Sequence, residues 1–122
     1  MTRIVAFVPD LMDRSKVASA AGDRVRFVGR AGELAGEVAG EVAGVEGDAS
    51  GVGETVDLVV VDLGRPGVPE ALAALQVLDR RPHIVGFGSH VDRDTLAAAR
   101  QAGCDEVLAR SEFFASLADL LA

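Results

Sequence analysis

The sequence contains one cysteine, Cys104, and one lysine, Lys16. It also lacks any apolar run approaching the ~20 residues that a membrane-spanning helix needs. A single thiol cannot close an internal disulfide, so the chain is not a small scaffold stapled by cross-links. The short apolar runs exclude a helical membrane span. The amino terminus, MTRIVAFVPD, has neither the length nor the small-residue cleavage pattern of a secretory signal, so a cytoplasmic location with no membrane partner is expected. Basic charge is scarce as well. Twelve Lys and Arg face nineteen Asp and Glu, a formal net charge of -7, which repels a polyanion and argues against nucleic-acid binding.

What is present fits a folded globule. The chain has 122 residues, 49% hydrophobic and 25% charged, the balance of one domain spanning residues 1–122. A chain of this length hides roughly two-thirds of its unfolded surface on folding, enough for a continuous core.

Two periodicities alternate along it. Arg3 to Val8 is a short apolar run closed by Pro9, the pattern of a strand buried on both faces. Asp13 is expected to cap a first helix over about Arg14 to Ala21, ended by Gly22. Arg24 to Val28 alternates polar and apolar, as a half-exposed strand near a sheet edge does. A tandem four-residue repeat follows, Gly32-Glu33-Leu34-Ala35, Gly36-Glu37-Val38-Ala39 and Gly40-Glu41-Val42-Ala43. Spacing of four places Leu34, Val38 and Val42 in one stripe and the glutamates in another, so the repeat reads as a helix weakened by its glycines, about 1 kcal/mol each relative to Ala. The glycines are read as a tolerated coding repeat rather than a docking groove. Gly47 to Thr55 reads as a loop.

Val56 to Leu63 is the strongest strand pattern, apolar enough to demand a central place in a sheet. Pro66 and Gly67 mark a turn. Pro69 opens a helix whose apolar residues are Leu72, Leu75, Val77 and Leu78. His83 to Gly88 forms a fourth strand, and Asp92 caps a helix through Ala102, ended by Gly103. Glu106 to Ala109 forms a fifth strand, and Ser111 is expected to cap a last helix carrying Phe113, Leu117, Leu120 and Leu121, with Phe114 adjoining them.

Connections between strands are too long for hairpins, so the strands run parallel with right-handed crossovers. The fold class is α/β: a doubly wound, five-stranded parallel sheet in a flavodoxin-like three-layer sandwich. In such sheets chemistry gathers beyond the carboxyl ends of the strands. That places Asp10, Asp62, Ser89, His90 and Arg110 around one crevice.

The segments DLVVVDLGRPG (Asp57 to Gly67), AARQAGCDEVLARSEFFASLADLL (Ala98 to Leu121) and RIVAFVPDLMDR (Arg3 to Arg14), in this order and spacing, resemble the receiver domain of bacterial two-component response regulators. The resemblance covers nearly the whole chain, with extra length between Gly32 and Thr55. It implies strand order 2-1-3-4-5, with helices one and five on one face and two, three and four on the other. It also implies that Asp62 is the phospho-acceptor position.

The chain departs from the pattern at several places, as an atypical member would. The acidic pair that holds magnesium in receivers falls on Val8 and Pro9, with only Asp10 following. Asp10 and Asp62 are thus weak metal candidates, no cofactor is expected, and magnesium should bind weakly or not at all. The lysine ending the fifth strand is Arg110, whose planar fork differs from a compact ammonium. The proline after it is Ser111, the switch hydroxyl falls on Phe87 or Gly88 with Ser89 late, and the switch aromatic is Val107. These changes count against phosphorylation of Asp62, which is expected instead to be held by Arg110 as a structural ion pair.

Other motifs carry less. Asp62, Ser89 and His90 do not make a nucleophilic triad, because no nucleophile elbow surrounds the serine. His83 falls on the opposite rim, Cys104 reads as a small apolar group, and Gly86 and Gly88 lack the lysine of a phosphate loop. With no output domain after Leu121, a two-domain DNA-binding regulator is not expected. Two readings stay open. One is a stand-alone receiver-like domain that signals by protein interaction rather than turnover, pairing with a protein partner or a second copy through helix four, strand five and helix five, where Phe113 and Phe114 lie. The other is a small-ligand-binding or enzymatic domain using the same crevice.

Overall fold

Ile4 to Phe7, none more than 5% exposed, form the buried strand β1 (Ile4–Phe7). The computed structural model describes residues 2–40 and 55–122. After β1 come α1 (Leu11–Ala21), β2 (Val25–Phe27), α2 (Leu34–Ala39), β3 (Leu58–Asp62), α3 (Val68–Gln76), β4 (His83–Gly88), α4 (Arg93–Gln101), β5 (Glu106–Ala109), α5 (Arg110–Ala115) and α6 (Leu117–Leu120). The strands form one sheet in the order β2-β1-β3-β4-β5, and every pair is parallel. This is the expected order.

Alternation along each strand sends side chains to two cores. Val5, Phe7, Val59, Val61 and Ile84 pack with Leu34 of α2, Leu72 and Leu75 of α3 and Leu96 of α4. Ile4, Ala6, Val60, Val85 and Phe87 pack with Val17 of α1, Phe113 of α5 and Leu117 of α6. The helices therefore divide between the two faces as the resemblance implies.

Local chemistry moves several boundaries. Helix α1 starts a turn earlier than Asp13, because the Asp10 side chain accepts the N–H groups of Met12 and Asp13 at 2.9 and 3.0 Å and is the cap. Asp13 is thereby drawn inside the helix. Arg24 leaves the second strand for a 3-10 turn (Gly22–Arg24), where its guanidinium donates to the carbonyls of Leu121 and Ala20. The repeat yields a 3-10 turn (Ala31–Glu33) and α2. Gly40, at φ 79°, closes α2 in the left-handed conformation that glycine adopts without strain. The third repeat unit beyond Gly40, and the predicted loop as far as residue 54, lie outside the described residues.

Three further expectations need correction. Val77 follows the end of α3 and is 81% exposed, so it is not part of that helix's apolar face. Ser111 does not cap the last helix: α5 already begins at Arg110, and the Glu112 carboxylate reaches back to accept the Ala109 N–H at 3.1 Å. Nor is the last helix continuous. Ser116, at φ -107° and ψ 15°, breaks the helical path, and its N–H is shared between the carbonyls of Glu112 and Phe113.

Candidate functional site

Strand β3 delivers Asp62 to the crevice. The Leu63 N–H donates to the Phe87 carbonyl at 2.9 Å, which extends the β3–β4 ladder one residue past the strand end. Leu63 then turns inward over Gly86, where a Cβ would stand only 2.6 Å from its side chain. Asp62 is thus fixed from below and is itself 8% exposed. Its Oδ1 accepts the Gly64 N–H at 3.3 Å, and its Oδ2 accepts the Arg65 Nε–H at 3.1 Å. The cation on Asp62 is therefore Arg65, three residues along the same turn. The expected ion pair with Arg110 is not formed.

Arg110 is directed elsewhere. It follows β5 directly, and its Nη2 donates to Oδ1 of Asp13 on α1. Asp13 is completely buried, and among the described residues its Oδ2 has no hydrogen-bond partner. Arg110 also lies 5.2 Å from the Phe114 ring centroid, and Lys16 lies 5.0 Å from the same ring, within the range of cation–π attraction. The hydrogen bond to Asp13 raises the Arg110 pKa above its usual value. Burial opposes this, and the charges of Asp13, Asp10 and Asp62 add to it.

Asp10 is exposed at the crevice mouth, and its carboxyl is held below the ordinary range. The Asp13 N–H is the largest cause; slight desolvation opposes it, and the Met12 N–H and the charges of Arg110 and Arg65 reinforce it. Three carboxylates and two guanidiniums thus share one electrostatic neighbourhood.

Magnesium, the metal implied by the resemblance, does not fit this donor set. Both Asp62 oxygens and one oxygen each of Asp10 and Asp13 already accept hydrogen bonds, and the two nearby guanidiniums repel a dication. Among the described residues no group of three or more His, Cys, Asp and Glu could hold a metal ion.

The remaining candidates stand apart. Ser89 and His90 are exposed in the loop after β4, where Ser89 Oγ accepts the Val91 N–H at 3.4 Å. No hydrogen bond among the described residues joins either of them to Asp62. His83 lies at the opposite rim, 2.8 Å from Glu106. The Cys104 thiol is pushed up to about 11, first by burial and then by the Asp105 charge, against the opposing Arg81, so it is protonated at neutral pH. Phe113 is wholly buried, with its ring stacked on Phe87 at 4.5 Å. Phe114 is half-buried and meets both rings edge-on.

Two residues of the site, Asp13 and Arg65, escape the sequence reading. Each left a signal. Asp13, Val17 and Ala21 recur every four residues, so the buried stripe of α1, extended back one turn, lands on Asp13. Arg65 stands three residues past Asp62 in a turn marked by Pro66 and Gly67, close enough to fold back onto it.

No protein-family model matches the chain, and no curated protein does. Solved structures do. The phosphorylated cyanobacterial phytochrome response regulator RcpA matches with a TM-score of 0.75 at 16% identity, covering 98% of this chain and 90% of its own. The Mn2+-bound form of response regulator Rcp1 matches at 0.70 and 14% identity, covering 98% and 91%. The receiver domain of the response regulator Ssk1, in complex with the histidine phosphotransfer protein Ypd1 of Saccharomyces cerevisiae, appears in a match at 0.64 and 12% identity, covering 89% and 78%. At these identities the likeness shows the fold: the chain has the doubly wound, receiver-like architecture of response-regulator domains.

Proposed function

We propose that the chain, residues 1–122, acts as a single receiver-like domain in signal transduction, in an atypical form that works through protein–protein interaction rather than through metal-dependent phosphorylation at Asp62. One observation carries this reading: the carboxylate at the end of β3 is neutralised by Arg65 from its own turn. The chain supplies there the positive charge that a dication would bring, and the acceptor oxygens are engaged before any phosphoryl donor arrives. In keeping with this reading we place the domain in the cytoplasm. No helix among the described residues is long and apolar enough to cross a membrane.

The surface assigned to partners is formed by α4, β5 and α5. Strand β5 is the last in the sheet order, and all four of its residues are partly exposed. An edge strand of this kind offers unpaired backbone groups beside Val107 and Leu108. Phe114 rather than Phe113 would supply aromatic area, because only its ring keeps contact with solvent. A second copy of the chain is the simplest partner, since a twofold contact closes on itself.

Analytical ultracentrifugation over a concentration series tests this, comparing wild type with Phe114→Ser. Association that rises with concentration and is weakened by the substitution is expected. A strict monomer at every concentration would remove the support for self-association through this face.

A further inference from the structure

We propose that Asp13 and Arg110 form a charge lock that keeps Arg110 off Asp62. Negative charge added at Asp62 is then answered by Arg65 and the β3–α3 turn, while α1 and the start of α5 stay joined. The Asp13 side chain is 1% exposed, and Arg110 is its ion-pair partner. The other cations of α1 are engaged with aromatic faces: Arg14 lies over Phe27 and Lys16 over Phe114. Among the described residues no second cation contacts Asp13.

Asp62 is buried too, but its charge is already met from its own turn by Arg65, whose side chain is 40% exposed. Moving Arg110 across to Asp62 would give one carboxylate two cations and leave the other buried with none. Stripping a buried charge of its partner is the more unfavourable of the two changes. Arg110 is held a second time by its position over Phe114. The lock spans 97 positions in sequence and ties α1 to the start of α5 on the same face of the sheet. The element left free to respond is the turn carrying Gly64, Arg65, Pro66 and Gly67.

The test uses the intact chain and reads the lock without reference to partners, so it can fail while the interaction reading stands, and the reverse. Asp62→Asn and Arg110→Met are made singly and together, in wild type and in an Asp13→Asn background, and unfolded by urea. In the wild-type background, coupling between positions 62 and 110 is expected to change the unfolding constant less than about threefold. In Asp13→Asn, where Arg110 is released, the coupling should grow by at least about threefold. Larger coupling in wild type, or no growth in Asp13→Asn, overturns the proposal. Should Asp13→Asn fail to fold, the wild-type cycle decides, together with the Arg110 guanidinium resonances. Those should stay in place when Asp62→Asn is introduced while those of Arg65 move, and an equal shift of Arg110 overturns the lock.

Discussion

Asp62 and Asp13 show how position decides the role of a carboxylate. Both are buried. One closes a strand and is met by its own turn; the other lies inside a helix and is met from the far end of the chain. The strand-end charges Asp10, Asp62 and Arg110 could be placed from sequence, because Asp10 and Asp62 close apolar runs that form buried strands and Arg110 closes the short run of the edge strand β5. Their pairing could not. Three carboxylates and two arginines converge on one crevice, and which arginine meets which acid depends on the tilt of α1 and the direction of the β5–α5 turn, which no local pattern encodes.

Asp105 allows a prediction at this scale. It accepts the Ile84 N–H at 2.7 Å and pairs with Arg81 at 3.1 Å. Burial works to raise its pKa, yet these hydrogen bonds and the charges of Arg81 and His83 hold it below the usual value. A depressed carboxylate contributes stability that is present above its unfolded pKa of ~3.9 and is lost as pH falls through the folded one. Asp105→Asn should therefore lower stability by about 1 kcal/mol at pH 7. The difference from wild type should shrink below pH ~3.9, as measured by urea unfolding at a series of pH values.

At the scale of elements, Gly86 joins β4 to the site. The sheet brings Leu63 across Gly86 so closely that an added methyl would stand 2.6 Å from Leu63 Cδ2 and 2.9 Å from its Cγ. Leu63 is only 4% exposed and has little room to retreat. Gly86→Ala should destabilise the chain by about 1–3 kcal/mol through overpacking, and the amide resonances of Asp62 and Gly64 should shift with it. A stable variant with an unchanged Asp62 environment would show that β4 does not support the site. The types of the main strands and helices were legible because the change from strand to helix period is sharp, but the 3-10 turns Gly22–Arg24 and Ala31–Glu33 were not. Helix starts were not, for a physical reason. Asp10 and Asp13 are both good caps, and the choice fell to the one whose side chain reaches two free N–H groups while its partner turns inward. The break at Ser116 was illegible too, since Phe113, Leu117, Leu120 and Leu121 keep one apolar stripe across both α5 and α6.

For the whole molecule, the parallel direction of the strands follows from connection length and crossover handedness, while the strand order and the division of helices between faces were legible only through the receiver resemblance. The chain has the receiver-like architecture, and at the end of β3 its Asp62 carboxylate is paired with Arg65. On the proposed reading, Arg65 rather than a dication satisfies Asp62. With no Trp or Tyr to serve as an intrinsic probe, the direct measurement is a magnesium titration followed by the amide resonances of Asp10, Asp62 and Gly64. No saturable shift is expected in the sub-millimolar range in wild type. Saturable sub-millimolar binding, abolished by Asp62→Ala, would contradict it.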